Sequence, residues 1–70
     1  MNLPSIQEKI ISFVKTQQQI RFVDSIDVIM HIGLRADIVM GNIKVLVDNR
    51  KLNKIPSGFS YHLKVVSSIN

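Results

Sequence analysis

The sequence predicts an α+β fold in which three short helices are followed by a β-hairpin. Apolar residues recur at helical spacing through residues 5–50, and the apolar period changes to two after Lys51. Hydrophobic residues make up 46% of the 70 residues and charged residues 20%, which is globular rather than disordered composition. Because the chain is short and has no cysteine, helices and hairpin must share one small core, and we expect a single domain over residues 1–70.

The first helix is predicted from Ser5 to Gln18. Ser5 and Glu8 have the spacing of a capping box. The apolar positions that recur at helical intervals are Ile6, Ile10, Phe13 and Val14. The segment Ile20–Val23 that follows is β-branched and aromatic, and it predicts a brief strand or an extended segment before the next cap.

The second helix is predicted to begin at a cap, Asp24 or Ser25, and to end at Gly33 in left-handed conformation. Its inward residues are Val28, Ile29 and Ile32. Ile26 and Met30 lie off this stripe, four residues apart. Either the N-terminal helix covers this pair, or the pair is a contact surface for a second subunit or a protein partner.

The third helix follows Leu34 and Arg35 and is predicted to end between Asp48 and Arg50. Asn49 is the residue there that better tolerates left-handed backbone. The buried face comprises Val39, Ile43, Leu46 and Val47.

A β-hairpin is predicted after the third helix. Lys51–Ile55 forms its first strand, and Pro56–Gly58 supplies the turn. The second strand alternates, with the inward positions Phe59, Tyr61, Leu63 and Val65. The hairpin must cover the three helices, whose own core is too small.

The net charge of the chain is confined to its second half. Residues 1–34 carry equal numbers of basic and acidic residues, whereas residues 35–70 carry the whole formal net charge of +4. A basic half on a small domain is typical of a protein that binds a polyanion such as nucleic acid. A charge of this size is also ordinary for the solubility of a small domain, so both interpretations stay open.

Three segments in this order resemble the winged helix-turn-helix family from Glu8 to Val65. Asp27–Leu34 resembles the end of the first motif helix and its turn, and Phe59–Leu63 resembles the returning strand of the wing. The apolar residues Val39, Ile43, Leu46 and Leu52 have the spacing with which the second motif helix of this family continues into the first strand of the wing. The length and layout are similar to those of small regulators of fimbrial operons.

The resemblance implies a DNA-binding transcriptional regulator whose third helix enters the major groove. The residues then expected to read bases are Arg35, Ala36 and Met40, and those expected to contact phosphates are Lys44, Arg50, Lys51, Lys54 and Ser57. Arg35 could instead pair with Asp37 or Asp24. Gly41, inside this helix, permits the close approach of DNA or of another helix.

The small size of the module and its apolar third helix bear on which partner it binds and in how many copies. A single small module offers little area to DNA, so we expect a homodimer or adjacent copies on double-stranded DNA, with Ile26 and Met30 between copies. The apolar third helix also favours an alternative, a winged-helix protein-interaction module that does not bind DNA.

Other classes of protein are not expected. The two histidines, His31 and His62, are far apart in the sequence, and no cysteine accompanies them, so the sequence predicts no metal site, cofactor or small-molecule substrate and no enzyme. The N-terminus lacks the pattern of a signal peptide and the apolar runs are too short for a membrane span, so we expect a cytoplasmic protein.

Overall fold

Three α-helices and a three-stranded antiparallel sheet make up the computed structural model, which describes residues 5–58 and 60–66. The predicted α+β class is confirmed. The elements are α1 Ile6–Gln17, β1 Val23–Asp24, α2 Ser25–Ile32, α3 Ala36–Asp48, β2 Leu52–Ser57 and β3 Ser60–Val65. The strand order is β1-β3-β2, so the hairpin strand β3 lies at the centre of the sheet.

Capping boxes start the first two helices. The backbone N–H of Glu8 donates to Ser5 Oγ at 3.1 Å, and the Ser5 N–H donates to Glu8 Oε1 at 3.3 Å. At α2 the cap is Asp24, whose Oδ1 accepts from the Ile26 N–H at 2.8 Å. These bonds satisfy N–H groups that a helix leaves without partners in its first turn.

The left-handed residue after α3 is Arg50, with φ +60°, and not Asn49, with φ −87°. The expectation for Asn49 is wrong because its N–H still bonds to Val45 O at 2.9 Å and extends the helical path by one residue. The reversal therefore comes at Arg50, and the Lys51 N–H closes it on Leu46 O at 2.8 Å. Gly33 ends α2 at φ +76°, as predicted.

Strand β1 is shorter than the predicted segment. The backbone N–H groups of Ile20 and Arg21 both bond to Gln17 O, so the turn that follows α1 occupies the first half of that segment. Only Val23 and Asp24 pair with β3, opposite Leu63 and His62. Ile20 and Phe22 are left 77% and 75% exposed.

The hairpin turn lies later than predicted. Ser57 pairs with Ser60, so Pro56 belongs to β2 and Gly58, at φ +62°, belongs to the reversal. The Val66 N–H bonds to Lys51 O, so these two residues form a hydrogen-bonded pair. In the register of β2 with β3, every second residue counted from Lys51 therefore bonds to β3. Pro56 falls on the intervening set, whose N–H groups face the open edge, so its missing N–H costs no ladder bond. Phe59 lies outside the described residues.

The core joins every element. The predicted inward positions of α1, α2 and α3 are buried or half-buried, and Leu63 is buried on β3. Val23 and Leu52 complete it from β1 and β2. The fully buried apolar residues are Ile10, Val14, Val23, Val28, Val39, Ile43, Leu46, Leu52 and Leu63.

Candidate nucleic-acid interface

The N-terminal end of α3 is exposed and carries Arg35 and Ala36. Arg35 precedes the helix, and its Nη2 lies 3.1 Å from Asp37 Oδ2, with 79% and 65% of the two side chains exposed. Of the two possible partners of Arg35, the structure therefore selects Asp37. An ion pair this exposed contributes little, so it leaves the guanidinium available for exchange with another acceptor.

Met40 does not lie on the outward face of α3. It is half-buried, packs against the core, and its Sδ accepts from the Tyr61 hydroxyl at 3.5 Å. The reason is that the hairpin covers this side of the helix, which the helical period alone does not show. The side chain of Met40, one of the residues expected to read bases, therefore points toward the hairpin rather than outward.

Lys54 extends the contact between α3 and the hairpin. Its Nζ lies 4.5 Å from the centroid of the Tyr61 ring, a distance at which the ring attracts the ammonium group. Tyr61 thus contacts Met40 through its hydroxyl and Lys54 through its ring. Burial, and to a smaller extent the charge of Asp24, raises the pKa of Tyr61, whereas a hydrogen bond with Ser25 opposes the rise.

Lys44 points outward from the middle of α3. Its Nζ lies 3.5 Å from Asp48 Oδ2, one turn further along. Ile38 and Val45 share the exposed side of the helix, with 43% and 42% of their surfaces exposed. The exposed side of α3 therefore combines apolar groups with balanced charges.

Arg50 and Lys51 lie apart from Arg35 and Ala36, just after the C-terminal end of α3. With Lys15 of α1 they line a groove of about 1040 Å³, which also contains the single carboxylate Glu8. Because α3 has 13 residues, this groove is separated from Ala36 by about 20 Å along the helix. The predicted phosphate-binding residues therefore fall into two groups rather than one surface.

Sequence reasoning missed Lys15 and Tyr61 as partners of the candidate residues. Tyr61 was assigned only to the core, although it stands at a position from which a long side chain reaches the diagonal residue Lys54. Lys15 has no such signal, since its proximity to Arg50 depends on how α1 packs. Ser57 is exposed at the end of β2, as a residue near a contact surface must be.

Asp24 and His62 form a polar group on the outer side of the sheet. The carboxylate of Asp24 accepts hydrogen bonds from the Ser60 hydroxyl and the Ile26 N–H, and these bonds hold its pKa below the ordinary value. His62, opposite Asp24, stacks on Phe22 with ring centroids 4.9 Å apart. His31 stacks instead on Phe13, at 4.1 Å, between α2 and α1.

Ile26 and Met30 are 56% and 77% exposed on α2. Within the described residues, α1 does not cover them, so the interpretation in which the N-terminal helix covers this pair is wrong. The pair forms an apolar strip one helical turn long.

Comparisons of this chain with protein-family models, curated protein sequences and solved structures find no match. Among the helices described here, none has the length and apolar character needed to cross a membrane.

Proposed function

We propose that this chain is a winged helix-turn-helix protein that binds double-stranded DNA and regulates transcription. The observation that carries the proposal is the contact series Met40–Tyr61–Lys54, which unites α3 with a cationic hairpin. A helix with an adjoining basic hairpin fits the major groove and the phosphates beside it. In this proposal Arg35 and Ala36 read base edges, with Met40 bordering them.

The charges support a polyanionic partner. Arg50, Lys51, Lys54 and Lys64 have no ion pair within the described residues, and all four are exposed. Lys54 and Ser57 border the proposed groove-binding face, and Lys44 needs only to exchange Asp48 for a phosphate. Such contacts hold the protein on DNA without selecting a sequence.

Two adjacent copies are proposed on one site. One module of this size covers only about 600–1,000 Å² of DNA surface. The exposed pair Ile26 and Met30 lies on α2, off the basic hairpin, and is the proposed apolar contact between copies.

The decisive experiment is selection of genomic fragments by the purified protein, followed by fluorescence anisotropy at several salt concentrations. Lys54→Ala is compared with Lys9→Ala, which removes the same charge from an exposed position on α1. We expect Lys54→Ala to weaken binding to all sequences and to reduce the salt slope by about one unit, and Lys9→Ala to do neither. Equal effects of both variants, or binding that is independent of salt, would contradict the proposal.

The second candidate function is a protein-interaction module, which one observation favours. Arg35 and Lys44 are each paired with an aspartate, and the exposed side of α3 carries Ile38 and Val45. An apolar contact of this kind weakens little with salt, so the same anisotropy series separates the two functions.

A further inference from the structure

The exposed face of α3 is centred on Gly41. At about 100° per residue, Ile38 and Val45 lie on one side of Gly41, and Asp37 and Lys44 lie on the other. All five residues are exposed, and a Cβ built at Gly41 would meet nothing within 4 Å. Within the described part of the chain, the surface at Gly41 is therefore free for the close approach of another molecule. Gly41 does not pack against another helix of the same chain, which was one of the two expectations for it.

This face is complementary to itself. A two-fold axis that crosses α3 at Gly41 reverses the helix direction but keeps each side of the face on the same side. Ile38 lies about 4.5 Å before Gly41 and Val45 about 6 Å after it, so each meets the other residue in the second copy. Asp37 and Lys44 are related in the same way, at about 6 Å and about 4.5 Å.

We infer that α3 pairs with α3 of a second copy of this chain, antiparallel and crossing at Gly41. The charges select the antiparallel arrangement, because a parallel two-fold axis exchanges the two sides of the face and would set Asp37 against Ile38 and Lys44 against Val45 of the second copy, leaving both charges without partners. The missing side chain at Gly41 lets the helix axes approach at the short end of the usual range, about 8 Å.

The dimer is weak and reversible. One helix face buries less than the roughly 800 Å² per partner of a standard interface. The present pairs Arg35–Asp37 and Lys44–Asp48 are exposed and contribute little, so their rearrangement does not oppose association. If the proposed function holds, the dimer also covers the face that enters the major groove, so that DNA and the second copy compete for α3.

Charge exchange tests the pairing without DNA. Sedimentation equilibrium is run from about 10 µM to about 1 mM, a range that brackets a weak interface. We expect Asp37→Lys alone and Lys44→Asp alone each to weaken the dimer several-fold, since each variant opposes like charges. An equimolar mixture of the two variants should associate as wild type does, because every cross-pair is then attractive, and the double variant should recover as well.

The controls separate pairing from folding. Circular dichroism must show all variants folded, and Ile26→Glu with Met30→Glu must leave this dimer unchanged because those residues lie on α2. A wild-type protein that stays monomeric to the highest concentration, or single variants that dimerise like wild type, would overturn the inference. So would a mixture that fails to recover.

A final arm adds the selected DNA fragment. Dissociation of the α3 dimer on DNA is the expected result, and a dimer that persists on DNA with unchanged affinity would refute the competition alone. If the charge-exchange variants behave as expected but the protein binds no DNA, the proposed function is refuted and the α3 pairing stands.

Discussion

The hydroxyl of Tyr61 lies 3.5 Å from the thioether sulfur of Met40, and this contact joins strand β3 to the middle of α3. Tyr61 also lies beneath the ammonium group of Lys54, so one side chain contacts both α3 and β2. The hydroxyl contact is a weak hydrogen bond, whereas the ring supplies apolar area and the cation–π attraction.

Removing the ring and removing the hydroxyl should therefore have different effects. We expect Tyr61→Phe to lower the free energy of unfolding by less than about 1 kcal/mol, and Tyr61→Ala to lower it by about 2–3 kcal/mol because the half-buried ring is lost. Urea denaturation measures both. Equal losses would mean that the hydroxyl, not the ring, supports the hairpin.

Arg35→Ala tests base reading within the proposed function. We expect a loss of about 1–3 kcal/mol on the selected site and relaxed discrimination at one base pair, because a guanidinium reads guanine with two hydrogen bonds. Competition binding with single-base variants of the site is the measurement. Asp37→Asn is the matched control, since it releases Arg35 from its ion pair without removing the guanidinium. If Arg35→Ala weakens specific and random DNA alike, Arg35 contacts phosphate and not a base.

Replacing Ile26 and Met30 with glutamate should leave the fold intact because both side chains are exposed. We expect the variant to lose cooperative occupancy of paired sites, since two charges then stand in the proposed apolar contact. Footprinting should show protection that repeats every 10–10.5 base pairs in the wild type and independent filling of the sites in the variant. Cooperative filling by the folded variant would assign the contact elsewhere.

Arg50→Gly should stabilise the protein by about 1 kcal/mol, because Arg50 occupies left-handed backbone that costs a residue with a Cβ. Thermal denaturation checks the sign. Asn49→Gly is the control, and it should destabilise, because Asn49 has φ −87° and gains nothing from glycine. A destabilised Arg50→Gly would show that the arginine side chain contributes more than its backbone costs.

Ser60→Ala should raise the pKa of Asp24 toward its ordinary value, since the Ser60 hydroxyl is the main cause of the lowered pKa. A carboxyl group whose pKa is lowered in the folded state stabilises the fold above its ordinary pKa of 3.8, and this contribution is lost as the pH falls through the folded pKa. We therefore expect Ser60→Ala to cost about 1–2 kcal/mol at pH 6 and less in acid. Urea denaturation at pH 6 and in acid measures the change in stability, and an NMR titration of the Asp24 carboxyl measures the change in its pKa. Ser57→Ala is the control, because Ser57 lies opposite Ser60 on β2. A cost that is the same at both pH values would show that the bond does not depend on the charge of Asp24.

Local signals in the sequence were sufficient for the helices and most of the core. The caps at Ser5 and Asp24 and the stop at Gly33 depend on bonds between residues two to four positions apart, so the order of residues determines them. The hairpin was predicted for the same reason, apart from its turn, where the pairing of Ser57 with Ser60 decides the position.

The candidate site depended on contacts that no local pattern contains. Met40 turns toward Tyr61, and Lys51 comes to line a groove with Lys15, because the packing of α1 and β3 against α3 decides which sides of α3 are covered. Helical periodicity shows which residues share a face, but not which neighbour covers that face. The charge of the second half was therefore determined by the sequence itself, whereas its division between the hairpin and the groove was decided only when the three helices and the sheet packed together.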